Sequence, residues 1–154
     1  MFFRQTKTFW ETVLESRREG ELLMCIKLAW EYPDHSSIRI FYGETWVWNE
    51  FYQAMEEAKT MAEFADRPIT FIHDTRETEN MPEQLARHYR NWAIEMETYS
   101  YVNIIISENP NLQNMFQTFK HFAGHWGDGY LLVESMSEAQ YIAVGETLEF
   151  ERIS

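Results

Sequence analysis

The sequence predicts an α/β domain: a mainly parallel, mixed sheet of about five strands, opened by an antiparallel hairpin and accompanied by four helices. Three observations carry this. Short β-prone apolar runs alternate with stretches of helical periodicity from about residue 37 to residue 145. The helical stretches are long enough to serve as right-handed crossovers between parallel strands. The first two apolar runs, in contrast, are separated only by the turn-rich Tyr32–Ser37, and so short a link makes antiparallel neighbours.

Taken in order, residues 1–20 form a separate arm, bounded near Arg17–Gly20. Within it Thr8 and Glu11 have the spacing of a capping box, and Phe9, Trp10, Val13 and Leu14 give a short apolar face. A helix of two or three turns needs a surface to dock on, in its own domain or on a partner. The domain proper, residues 21–145, begins with the hairpin Leu22–Trp30 and Ile38–Tyr42. A helix over about Val47–Phe64 follows, with Phe51, Met55, Ala58 and Ala62 on one face. Arg67-Pro68 breaks it, and Ile69–Ile72 forms a strand closed by His73-Asp74.

The next helix is expected to start at Asn80 as N-cap, with Pro82 in its first turn and Leu85, Tyr89, Trp92 and Met96 buried. Tyr101–Ile106 is a strand apolar enough to be covered on both faces. Asn109-Pro110 opens a helix that turns Leu112, Met115, Phe116, Phe119 and Ala123 inward and ends at Gly124–Gly129. Tyr130–Val133 is the last strand, and Ser135–Glu138 has the form of a capping box for a final helix through about Val144. Residues 146–154 are a tail, open between a helical extension, an added strand and a loose end.

Composition bounds the partners. At 154 residues, 45% hydrophobic and 16% aromatic, the chain makes one domain with a real core and does not read as disordered. Cys25 has no second cysteine to pair with and, between Met24 and Ile26, reads as a buried, inert thiol. No apolar stretch approaches the ~20 residues of a bilayer span, and the amino terminus lacks the pattern of a secretory signal, so a cytoplasmic protein is expected. The formal net charge is −12. Residues 1–20 carry four basic and three acidic side chains, so the rest of the chain is more acidic still. Such a body repels a phosphate backbone, and nucleic acid is not an expected partner.

Ile38–Tyr42, the helix start Trp46–Tyr52, Pro68–Asp74, Tyr101–Ser107 and Ser135–Ala139 together resemble small bacterial STAS-like proteins, a group related in fold to the anti-sigma-factor antagonists. The resemblance spans about residues 22–145 and rests on element order and anchor residues. It implies a compact regulatory module that works through protein–protein contact. In the phosphorylated antagonists a serine sits at the start of the helix that follows the Asp-ended strand. The matching stretch here, Asp74–Pro82, has no serine and no glycine. Thr75 and Thr78 are its only hydroxyls, and Asp74, Glu77 and Glu79 oppose a phosphate there.

The remaining candidates are few. His73 and Asp74 end a parallel strand, where open α/β sheets bind ligands, with Arg76 and Asn109 as possible neighbours. His121 and His125 have the i, i+4 spacing of a metal pair, but Gly124 interrupts them and no glutamate sits between them, so no metal is expected. Trp46 and Trp48 at a loop-to-helix junction, and Trp126 in a Gly-rich turn, are candidates for an exposed partner-binding surface or an apolar pocket. No glycine-rich phosphate loop follows any strand, and no cofactor is expected. The leading expectation is a non-enzymatic interaction module, possibly homodimeric. The alternative is a carrier or sensor of a small apolar ligand between sheet and helices. An enzyme centred on His73 and Asp74 ranks last.

Overall fold

The computed structural model describes residues 26–153. The expected amino-terminal helix and the Cys25 thiol lie outside the described residues. The order is β1 (Ile26–Trp30), β2 (Ser37–Tyr42), α1 (Trp48–Ala62), β3 (Ile69–Asp74), α2 (Leu85–Glu95), β4 (Ser100–Ile106), α3 (Pro110–Phe122), α4 (His125–Asp128), β5 (Tyr130–Val133) and α5 (Met136–Ile153). The five strands form one sheet in the order β1-β2-β3-β4-β5, with β1 antiparallel to β2 and the other pairs parallel. The expected α/β fold with an opening hairpin is therefore the one observed. One further helix, the single turn α4, occupies the stretch expected only to end α3.

Because spatial order follows chain order, every right-handed crossover from β2 onward delivers its helix to the same face. That face carries the larger core. Ile38, Ile40, Phe71, Ile105 and Tyr130 from the sheet meet Phe51 and Met55 of α1, Tyr89 and Trp92 of α2, and Phe116 and Phe119 of α3. The opposite face is smaller and belongs to α5, where Ala139 and Ala143 pack on Ile72, Val102, Ile104, Ile106 and Val133. Strand residues alternate between the faces. β3 and most of β4 are buried on both sides because both sides are covered.

Two helix starts depart from the sequence reading. Asn80 does not cap α2; the helix begins at Leu85, after Gln84 in a left-handed conformation (φ 68°). The carbonyl of Glu83 is taken by the Trp48 indole N–H at 2.6 Å, which fastens this stretch to the start of α1 and leaves Pro82 in a loop. At α1, Glu50 accepts from the Val47 N–H at 3.0 Å, but Val47 has no side-chain acceptor to return the bond. Asn109 does cap α3, accepting from the Asn111 N–H at 2.8 Å. Met115, expected inside, is exposed, since it lies to one side of the direction shared by Leu112, Phe116 and Phe119. At the last helix Ser135 accepts from the Glu138 N–H, while the Glu138 carboxylate reaches the Glu134 N–H instead of that of Ser135. Helix α5 does not stop near Val144 but runs to Ile153, so of the three alternatives for the last residues the helical extension is the one observed.

Candidate functional site

The carboxyl ends of β2, β3 and β4 bring together most of the expected site residues, but in a form that differs from the expectation. His73 and Asp74 are consecutive in a strand, so their side chains leave opposite faces of the sheet. They do not form a pair.

His73 enters the helix-covered core. Its ring lies against Tyr42, Tyr89, Trp92 and Tyr130. Nε2 stands 3.0 Å from Oδ1 of Asn103, which also accepts from the Trp92 indole N–H at 2.9 Å. An amide oxygen only accepts, so Nε2 carries the proton and Nδ1 accepts from the Tyr42 hydroxyl at 2.8 Å. Burial lowers the His73 pKa to about 4, with the Asn103 bond working weakly the other way. The same burial raises the neighbouring Tyr42, Tyr89 and Tyr130. The cluster is neutral and closed to solvent.

Asp74 faces the other side, beside Phe41 in the register of β2 and β3. Arg76 grips it with two parallel bonds, Nε to Oδ1 and Nη2 to Oδ2, each 2.9 Å, and the Arg76 N–H adds a third at 3.2 Å. The carboxylate is almost fully buried and the guanidinium partly exposed. The bonds to Asp74 raise the Arg76 pKa further. Phe41, Glu77 and Glu108 complete a shallow depression of about 150 Å³ over this pair.

Both hydroxyls of the loop are spent on structure. Thr75 is buried, and its hydroxyl and N–H both donate to the Ile106 carbonyl, at 2.7 and 3.1 Å. Thr78 is buried too. It donates to the Gly43 carbonyl at 2.9 Å and accepts from the Trp46 indole at 3.2 Å. A kinase would have to unfold the loop to reach either one. Thr78→Val should cost about 1–3 kcal/mol, because it strands the indole N–H and the carbonyl together. Thr78→Glu, the usual phosphate mimic, should cost more. Urea denaturation of the two variants checks this, and a glutamate variant as stable as the parent would contradict it.

The tryptophans separate. Trp46 is only 4% exposed and belongs to the core, so it does not form the exposed surface that was one of its two expected roles. Trp48 is half-buried and stacks on His88 at 4.1 Å; Tyr52 is bonded to the same imidazole at 2.7 Å. Trp126, also half-buried, lies at the opposite end of the sheet. There it lines a depression of about 130 Å³ with Glu97, Ser100, Tyr101 and His125. Asn109 is occupied as a cap and plays no part beside His73. His121 and His125 fall either side of Gly124, whose φ of 63° ends the helix, so they share no helical face. No group of three His, Cys, Asp or Glu side chains among the described residues can hold a metal ion. No described helix is long and apolar enough to cross a membrane.

The sheet also lacks the crevice that the expectation at His73 and Asp74 relied on. Ligands lodge in open α/β sheets where the strand order reverses and successive connections part to opposite faces. Among the described strands the order never reverses.

The feature that the sequence reading missed is on α5. Its inner face packs on the sheet through Ala139 and Ala143, yet Tyr141, Val144 and Leu148 point outward, 84%, 48% and 61% exposed. With Ser137, Gln140 and Gly145 they line an open apolar depression of about 560 Å³. The signal was present as the 4-3-4 spacing of residues 137, 141, 144 and 148.

No protein-family model matches this chain, and no curated protein or solved structure matches it significantly.

Proposed function

We propose that this chain is a non-enzymatic interaction module of STAS-like type, acting in the cytoplasm through protein–protein contact. The outward apolar stripe of α5 carries the reading. Large apolar side chains grouped on one exposed helical face mark a binding surface, while single ones need no explanation. Two further features support it. The space between the sheet and α1–α3, where a small apolar ligand would sit, is filled by aromatic rings in mutual contact. His73 and Asp74, the pair an enzyme would need, are buried on opposite faces. The sequential parallel sheet with an Asp-ended central strand is in keeping with the family resemblance.

A photo-crosslinking residue at position 141, introduced in the host cell, should give discrete protein adducts. The same residue at the exposed Glu57 of α1 should give none. A ligand retained by the purified protein in native mass spectrometry, with no adduct at 141, would turn the reading toward the carrier.

A further inference from the structure

We infer that the outer face of α5 is a self-association surface, on which a second copy of this chain docks its own α5 in antiparallel orientation. The inference rests on the interaction reading and names its partner. Three observations carry it.

The first is shape. Tyr141, Val144 and Leu148 stand out from the stripe, while Gly145 and Ser137 leave room between them. Turned by a two-fold axis passing between Val144 and Gly145, the stripe fits itself. Tyr141 then meets Leu148 of the second copy, and Val144 meets Gly145. Isologous contacts need this kind of self-complementarity.

The second is Gly145. A glycine inside a helix costs about 1 kcal/mol relative to alanine. Among the described residues nothing lies within 4 Å of where its Cβ would stand, so their packing does not require it. Close approach of a second helix does.

The third is charge. Glu134 and Glu138 flank the amino-terminal end of the stripe; its carboxyl-terminal end carries Arg152 together with Glu149 and Glu151, and Glu151 is paired with Arg67. Arg152 is exposed, its described ion pair being with Glu149 on its own helix. Antiparallel docking sets Arg152 opposite Ser137, between Glu134 and Glu138 of the second copy. Parallel docking would set Arg152 beside its own copy, away from Glu134 and Glu138. This matters in a chain of net charge −12, for which any self-contact begins with repulsion. About three helical turns pressed against their equal make a small interface, at the low end of specific ones, where weak and reversible association is the rule.

Sedimentation velocity of the full chain across roughly 1–500 μM should show a monomer–dimer equilibrium in that range. Tyr141→Glu should abolish it. Arg152→Glu should weaken it, and adding Glu138→Arg should restore it. In a Cys25→Ser background, Val144→Cys lies beside the two-fold axis and should cross-link to its own copy within the dimer. Ser137→Cys, about eight residues off the axis and so on the order of 20 Å from its mate, should not. Equal cross-linking at both positions, or a dimer indifferent to Tyr141→Glu, overturns the inference. So does a monomer at all concentrations. If that monomer still gives discrete adducts at position 141, the interaction reading stands with another partner; without adducts, both fall.

Discussion

Trp92→Ala is expected to destabilise the protein more than any other single substitution considered, by about 3–5 kcal/mol, the range for emptying a large buried aromatic site. Trp92 is fully buried, and its ring meets Phe51, Phe71 and His73. Its truncation leaves a cavity between α2 and the sheet and takes one of two donors from Asn103. Close-packed surroundings relax only partly around such a hole. Urea denaturation should show the midpoint falling by on the order of 2 M. Trp92→Phe keeps most of the volume and loses the N–H, so a loss of about 1–2 kcal/mol is expected. Equal losses for the two variants would mean that the hydrogen bond, and not the packing, holds this region.

Acidification should expose His73 as the second large contributor. In the folded protein its pKa is lowered from 6.5 to about 4, chiefly by burial. The unfolded chain takes up the proton at the ordinary value, so below it protons favour unfolding. The stabilisation due to neutral His73 is whole above pH 6.5, declines as the pH falls through the interval to about 4, and changes little below that. Across the interval the loss amounts to about 3 kcal/mol. His88 is lowered as well, by burial and by Arg87, and adds to the slope in the same direction. Stability against pH should therefore be steeper for the parent than for His73→Gln between pH 6.5 and 4, with the His88 share remaining in both. Parallel curves would mean that the imidazole is not closed off from water in solution.

The strands were legible because their apolar runs are short, β-prone and bounded by turn residues, and because covered strands need no polar side. The start of α2 was not legible. Asn80 and Pro82 are good local signals, but a bond from an indole 35 positions earlier in the chain overrides them. No local pattern reports a contact of that range. The extent of α5 was hidden by Gly145, which reads as a helix end and lies in the helix interior. The outward stripe was hidden for a related reason: a helix apolar on two sides shows little contrast around its circumference, so no one face stands out.

The candidate site was legible as a place and not as a chemistry. Residues 73–78 do cluster at the carboxyl end of the sheet. What the sequence could not reveal is that the hydroxyls of Thr75 and Thr78 point back into backbone carbonyls, and that alternation sends His73 and Asp74 to opposite sides. Trp46 illustrates the same limit. A tryptophan at a loop-to-helix junction suggests exposure, but the Thr78 hydroxyl gives its N–H a buried partner.

The uninterrupted strand order has a consequence for biosynthesis. Each strand pairs with its neighbour in the chain, so from β2 to β5 each addition closes only the short loop of one crossover, and contact order stays low for a parallel sheet. A chain leaving the ribosome can add these units in the order in which they appear, with the helix-covered face completed as it goes. The opposite face waits. Ile72, Val102, Ile104 and Ile106 emerge well before α5, the helix that lies over β3, β4 and β5 and follows all of them in the chain. The nascent protein thus passes through a stage with one finished side and one bare apolar side, open to chaperones or to aggregation until that helix arrives.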